Sequence, residues 1–349
     1  MKIAINTRPL STGHKNRGIG IYTKNLIENL KELDKSNEYV YFEKEQELTS
    51  VDVVHYPFFD PFFLTLPKKN KFPTVVTVHD LTPIIFSKAY PRGLKGEVKW
   101  QIQKRSLKKV DRIITDSQSS KKDIEKIINF DPDKISVVYL APSLEFKTLT
   151  GSDWALKTKN KFNIGNNFIL YVGDVNYNKN LSGLFEAFSK IEDKNLDLIL
   201  VGESFTNPAV FSQKQIPENL KNNVKILGLV PTDDLVKLYN LATILCLPSF
   251  YEGFGLTIVE AFACSCPVIC SNVSSLPEIG GDAAIYFDPE KTEELTDKIN
   301  LISSMKKSDY ENLKIRSFEE SKKFSWKKTA LDTLKVYEQI QQQQKKLND

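Results

Sequence analysis

Long apolar runs are missing from this chain of 349 residues. No stretch approaches the roughly 20 apolar residues that a membrane-crossing helix needs, so no spanning segment is expected. Cysteine is scarce, with four in all, which excludes a disulfide framework and makes a reducing cytoplasm the expected setting. Histidine is scarcer still, at three. Cys264, Cys266 and Cys270 lie close in sequence, but no histidine is near and their spacing fits no common zinc pattern. They read as small packing residues where a helix gives way to a buried strand. The opening MKIAINTRPL has neither a long apolar core nor a small-residue cleavage site, so it reads as a first strand and not as a signal peptide. No GxGxxG follows that strand, which counts against a nicotinamide-dependent dehydrogenase. The basic residues stand in no recognised nucleic-acid-binding motif.

What charge there is lies unevenly. Residues 1–160 carry 27 Lys and Arg against 19 Asp and Glu, whereas residues 161–349 carry 21 against 25. A basic first half suits an anionic partner, such as a pyrophosphate-bearing lipid or an acidic membrane surface; a lysine-rich solvated surface is the plainer reading. Two stretches sharpen that choice without deciding it. YPFFDPFFLTLPKKNK joins aromatics to a basic tail, and KWQIQKRSLKKVDR reads as a helix with a basic face. The first fits either lipid contact or a packed loop. The second is most simply a solvated helix face.

The length suits two domains. Short apolar runs (KIAIN, VDVVHY, TVVTVHD, DRIITDS, KISVVYL) alternate with helical patterns such as GIYTKNLIENLKEL, the mark of a parallel sheet covered by helices. Residues 148–166 are polar and lack a strong period, which predicts a linker. The alternation then restarts with NFILYVGD, followed by LSGLFEAFSKI, which places Leu181, Leu184, Phe185 and Phe188 on one helix face. Strands LDLILVG, NVKILG, TILCLP, PVICS and AAIYF follow. The expected fold is α/β, with two doubly wound Rossmann-like domains facing across a cleft, over residues 1–160 and 161–325. Open α/β sheets bind ligands at the carboxyl ends of their strands. The segment SWKKTALDTLKVYEQIQQQQKKLND predicts one long helix over 326–349, fraying into a polar tail.

The stretch PSFYEGFGLTIVEAF carries the chemistry. A strand is expected to end near Pro248, a turn at Gly253-Phe254-Gly255 to follow, and a helix to start near Thr257. The amides of Phe254, Gly255, Leu256 and Thr257 would then be open at a helix N-terminus, which attracts phosphate. Glu260 would fall in the first helical turn and Glu252 at the strand end. Carboxylates beside a phosphate make sense when their partners are neutral hydroxyls, which points to a sugar nucleotide. A solvated loop with two surface acids is the alternative.

With these residues in view, the chain resembles the retaining glycosyltransferases of family 4, of the two-domain GT-B fold. Their hallmark is two glutamates separated by seven residues; here it stands as PSFYEGFGLTIVEAFACSCPV. YVGDVNYNKNLSGLFEAF, NVKILGLVPTDDLVKLYNLA and SNVSSLPEIGGDAAIYFDP are similar to the family's flanking segments, and RGIGIYTKNLIENL, TVVTVHDLTPIIF and TDSQSSKKDI to its first half. FSWKKTALDTLKVYE resembles the closing helix, which in the family crosses back to the N-terminal domain.

The resemblance implies that Lys179 holds the donor pyrophosphate and that Glu260 binds the ribose. Glu252 would contact the transferred sugar and stabilise charge at its anomeric carbon. The Phe254, Gly255 and Leu256 amides would support the phosphates, and Gly18 and Gly20 would form a flexible loop approaching them. His79 would face the sugar and acceptor. An N-terminal acceptor domain and a C-terminal donor domain are implied. Asp174 invites a metal, but hard cations prefer several clustered oxygens and the sequence shows none beside it, so no metal cofactor is expected. The base is expected to meet backbone near Gly228-Leu229-Val230.

The chain departs from the family's pattern at the phosphate segment. Gly173 and Asp174 stand where many members have an Arg, and Asn178 replaces another beside the lysine. Arg17 is a candidate to compensate. His14 and His55 carry less information; His55 could line the cleft or be a hydrogen-bonded structural residue. The expected function is hexosyl transfer, mannosyl first, from a GDP- or UDP-sugar to a glycan hydroxyl. The acceptor would be lipid-linked, in surface polysaccharide synthesis, and the enzyme cytoplasmic or at the inner membrane face. The alternative is a catalytically weak nucleotide-sugar-binding protein of a glycan-assembly complex.

Overall fold

The computed structural model describes residues 1–11 and 18–348. The chain divides into two compact units, Met1–Ala141 together with the segment from Phe324 onward, and Pro142–Lys323.

The first unit holds a six-stranded sheet: β1 (Lys2–Asn6), β2 (Glu38–Phe42), β3 (Val53–Tyr56), β4 (Thr74–Thr77), β5 (Arg112–Thr115) and β6 (Ile135–Val137). Every pairing is parallel, in the order β2-β1-β3-β4-β5-β6. β3 and β4 are buried along their whole length, as expected of strands covered by helices on both faces. β2 is not evident from the sequence pattern. Its residues EYVYF are mostly half-buried, so this edge strand lacks the apolar run that marks the others.

The second unit repeats the plan with β7 (Phe168–Val172), β8 (Asp197–Val201), β9 (Val224–Gly228), β10 (Ile244–Leu247), β11 (Val268–Ser271) and β12 (Ile285–Phe287), in the order β12-β11-β10-β7-β8-β9. The helix Leu181–Lys190 buries Leu181, Leu184, Phe185 and Phe188 against this sheet, together with Ala187. Strand order reverses between β1 and β3 in one sheet and between β7 and β10 in the other. Ligands of doubly wound sheets bind outside the carboxyl ends of the strands at such a reversal.

Three expectations need correction. Residues 142–160 belong with the second unit, and 148–166 is not a featureless linker. It contains the helix Asp153–Phe162, which ends at Asn163 in the left-handed conformation. That helix buries only Thr158, so no apolar period marks it; Lys161 ties it to Asp234 at 2.6 Å. The last helix does not fray at its glutamines but runs Trp326–Asn348. It packs on the helix Gly18–Leu33 within the first unit.

Candidate active site

In the second unit, the loops after β7 and β10 meet at the strand-order reversal. Asn178 is the staple between them. It is buried, its side-chain amide donates to the Tyr251 carbonyl at 3.0 Å, and its own carbonyl accepts from the Phe250 amide at 2.7 Å. The rings of Tyr177 and Phe250 lie 5.7 Å apart across the same junction. An arginine at 178 would have to bury its charge here, which accounts for the departure read from the sequence.

The staple brings Lys179 onto Glu252. Lys179 Nζ donates to Oε1 at 2.8 Å and to Oε2 at 3.0 Å. Both side chains are mostly shielded, with 20% and 12% of their surfaces exposed. Ser249 Oγ donates to Glu252 Oε1 at 2.6 Å, and the Glu252 amide donates to Ser274 Oγ at 2.9 Å. Ser275 Oγ faces the carbonyls of Glu252 and Phe254 at 2.9 and 2.8 Å. These three serines hold the glutamate loop from both sides and were not singled out from the sequence. Their signal lay in the PS and SNVSS flanks of the motif.

The glycine turn forms as expected at Gly253 and Gly255. Gly255 has φ 101, and the helix runs Leu256–Ala263. Its first amides, those of Leu256 and Thr257, have no place in the helix ladder. Glu260 is the fifth helical residue, not one of the first turn. Tyr239 donates to its Oε2 at 3.0 Å, and burial lifts its pKa from an ordinary 4.5 to about 7, with the tyrosine pulling the other way. Part of its surface still reaches solvent.

Gly173 and Gly202 explain another part of the pattern. A Cβ on Gly202 would sit 2.1 Å from the Gly173 carbonyl oxygen, so the ends of β7 and β8 can approach only with glycine there. Asp174 is engaged locally, its Oδ1 accepting from the Ser204 amide at 3.2 Å and hydroxyl at 2.8 Å. At Gly228 the backbone takes φ 66 as β9 ends, and Leu229 beyond it is exposed. All four cysteines are free and buried: Cys246 and Cys270 lie in β10 and β11, Cys264 and Cys266 between a helix and β11.

In the first unit, His79 lies just beyond β4 and Asp116 just beyond β5. His79 Nδ1 and Asp116 Oδ2 are 2.7 Å apart. Burial disfavours the charged ring, but the Asp116 carboxylate, with Asp80 and the Pro57 carbonyl, outweighs it and holds the His79 pKa above its ordinary value. The Pro57 carbonyl is near, yet His79 Nε2 makes no aligned hydrogen bond. Tyr22 stands edge-on to the ring at 4.8 Å.

His55 is structural. It is fully buried, with Nδ1 2.7 Å from Tyr337 Oη and Nε2 2.8 Å from Thr77 Oγ1. Burial pushes its pKa down to about 3, with His79 adding to the shift.

Gly18 and Gly20 do not form a loop. They open the helix Gly18–Leu33, where Gly20 is buried among the helix's packed residues. Arg17 and His14 lie outside the described residues.

At the reversal between β1 and β3 the first unit has a cavity of about 300 Å³. Asn6, Arg8 and Pro9 line it together with Tyr56, Phe58, Asp60, Phe63 and Thr65.

Comparison with known proteins adds to this geometry. A family model described as "Glycosyl transferases group 1" matches residues 152–319, and one described as "Glycosyltransferase Family 4" matches residues 38–145. The O-antigen chain mannosyltransferase B of Escherichia coli is 30% identical over 268 residues, covering 75% of this chain and 69% of that protein. The O-antigen chain mannosyltransferase RfbU of Salmonella typhimurium is 28% identical over 251 residues, covering 68% and 66%. Sucrose-phosphate synthase from Thermosynechococcus elongatus shares the fold, with a TM-score of 0.74 at 19% identity over 97% of this chain and 99% of that one.

Proposed function

The chain belongs to the family 4 glycosyltransferases, and from that premise we propose that it moves mannose, with retention, from GDP-mannose to a hydroxyl of a lipid-linked glycan during surface polysaccharide synthesis. The observation that carries the donor half is the convergence of Lys179 and Glu252 at the β7–β10 reversal, with a helix N-terminus directly after the glutamate. The likeness to two O-antigen mannosyltransferases supports the sugar and the pathway class.

The residue types suit the reaction. A departing nucleoside diphosphate gains negative charge, so cations and amides must be aimed at it. Lys179 is the only cation in residues 173–180; the amides of Leu256 and Thr257 supply the rest. Glu252 then turns to the sugar and stabilises positive charge at the anomeric carbon. Glu260 takes the ribose hydroxyls, and backbone at Gly228-Leu229-Val230 meets the base. Retention fits attack on the face the leaving group vacates, with its phosphate accepting the acceptor's proton. No divalent cation is required in this scheme, since lysine and helix amides carry the neutralisation.

The first unit is assigned the acceptor. Its cavity at the β1–β3 reversal joins aromatic walls to a polar rim with an exposed Arg8, a match for a glycan linked through phosphate to an apolar chain. His79, oriented by Asp116, serves this side. No helix among the described residues is long and apolar enough to cross a membrane, and the proposed placement is at the inner membrane surface.

The test is melting of the full chain with GDP, UDP, GDP-mannose and UDP-hexoses, with and without Mg²⁺ or EDTA, since a ligand of the folded state raises Tm. Stabilisation by GDP and GDP-mannose in EDTA is expected, followed by mannosyl transfer to lipid-linked acceptor. A shift with UDP compounds alone would replace the donor. Strict dependence on Mg²⁺ would overturn the metal-free scheme.

A further inference from the structure

Glu260 is held by a neighbour that the sequence does not single out. The helix Thr232–Leu241 follows Gly228-Leu229-Val230 after a single proline, and it carries Tyr239. Tyr239 is fully buried, and its ring stands edge-on to Phe146 at 5.8 Å. The next residue, Asn240, fixes the end of this helix. Its side-chain amide donates to the Lys147 carbonyl at 2.9 Å, and its oxygen accepts from the Leu149 amide at 2.8 Å. Near the other end, Asp234 pairs with Lys161 at 2.6 Å. Residues 146–162 thereby brace the helix, which gives the tyrosine ring a fixed position.

The tyrosine hydroxyl has one use. Oη donates to Glu260 Oε2 at 3.0 Å and to nothing else among the described residues. Burial, and then the neighbouring carboxyl, keeps the phenol protonated far beyond neutral pH, so it always donates. Glu260 Oε1 accepts from no described residue, and the side chain still meets solvent. A carboxylate with one oxygen taken presents the other in a fixed direction. Unheld, it would carry rotamer freedom that binding has to remove.

We propose that Tyr239 is a positioning residue for nucleoside recognition: its hydroxyl holds Oε2 of Glu260 and leaves Oε1 to accept from the donor's ribose. The inference rests on the assignment of Glu260 to the ribose. One helix then serves both halves of the nucleoside, with its entry at the base and Tyr239 behind the ribose glutamate. The same contact has a second effect, because a hydrogen bond to the charged form favours that form. Burial raises the Glu260 pKa to about 7, and Tyr239 opposes the rise. The helices Leu276–Gly280 and Lys307–Ser321 and strand β11 also pack on the Glu260 helix. Among the described residues, however, burial and the tyrosine alone move this carboxyl. Cys264, beyond the end of the same helix, feels the carboxyl, and burial keeps its thiol neutral.

The experiment is calorimetry of GDP-mannose, with UDP-glucose in parallel, binding to the full chain between about pH 5.5 and 8.5, where the diphosphate of a nucleotide sugar does not titrate. Wild-type affinity should rise to a plateau with its midpoint at about 7. Tyr239→Phe keeps the ring and its packing, and its midpoint should move up by about one pH unit, the low end for losing a hydrogen bond to a charged group. At pH 7 about a tenth of the carboxyl is then ionised against about a half, so the variant should bind about fivefold more weakly. On a Glu260→Gln background the same substitution should change neither affinity nor profile, an outcome that a packing role alone would not give. A Tyr239→Phe midpoint at the wild-type value, or a cost that persists in the double variant, would overturn the proposal and leave Glu260 at the ribose. Glu260→Gln binding like wild type at every pH would instead remove the ribose assignment, and the proposal with it. Wild type that bound neither nucleotide sugar would overturn the donor reading beneath both.

Discussion

Lys179 and Glu252 form an ion pair that the proposed donor has to break. Phosphate competes with the carboxylate for the same ammonium, and the carboxylate also repels the incoming charge. Neutralising the glutamate while keeping its shape should therefore separate binding from turnover. Glu252→Gln is expected to bind GDP more tightly than wild type yet to transfer almost no sugar. Lys179→Ala should weaken GDP by about 1.5–3 kcal/mol, the range for a hydrogen bond to a charged group. Calorimetry beside a transfer assay reads both, and a Glu252→Gln variant that turned over normally would remove that residue from the reaction.

Glu260 adds a pH dependence with a definite sign. With a pKa near 7 it is largely protonated in mild acid, whereas a ribose hydroxyl donates best to a carboxylate. Donor affinity should rise as pH passes upward through about 7, and Glu260→Gln should flatten that rise. Stability runs the other way. A carboxyl whose folded pKa is raised contributes stability that is fully present below its unfolded value of about 4.5 and is lost as pH rises through about 7. Melting curves of ligand-free wild type and Glu260→Gln should diverge across that window. Parallel curves would mean that the carboxyl titrates in the ordinary range.

At the scale of elements, a buried polar chain ties the last helix to the first sheet. It runs from Tyr337 to His55, to Thr77 and on to Tyr22. Tyr337→Phe leaves His55 Nδ1 buried without a partner, which should cost about 1–3 kcal/mol in urea unfolding. Because burial depresses the His55 pKa to about 3, its contribution is present above about 6.5 and is lost as pH falls from there towards 3. A Tyr337→Phe variant as stable as wild type would show that the contact carries no weight.

The elements also show what was legible in the sequence. Strands such as FILYV and ILCL announce themselves because both faces are buried. The edge strand EYVYF and the helix Asp153–Phe162 do not, because each buries little. The glutamate motif located the site; the contacts that shape it did not show. Asn178, Ser274 and Ser275 act through hydrogen bonds between segments far apart in the chain, which no local pattern encodes, and Ser249 reaches Glu252 within its own turn. Gly18 and Gly20 misled for a related reason. A glycine pair suggests a loop, but the packed face of Tyr22, Leu26 and Leu30 carries the helix back to Gly18.

For the whole molecule, each unit has its own sheet and core, and the proposed donor contacts all lie in the second. Hydrogen exchange should map that asymmetry. GDP is expected to slow exchange over residues 173–180, 226–231 and 249–261, where Lys179, Gly228 and the two glutamates sit. The sheet β1–β6 should change far less. Local protection of this kind follows from linkage, since a ligand that binds only the closed form of a segment suppresses its opening. The Asn178 staple makes the prediction sharper. Because it joins the loops after β7 and β10, Asn178→Ala should raise exchange in both loops before any ligand is added, and should weaken GDP although no atom of residue 178 is assigned to it. If the two loops responded independently to that substitution, or if GDP protected β1–β6 instead, the donor site would have to be moved out of the second unit.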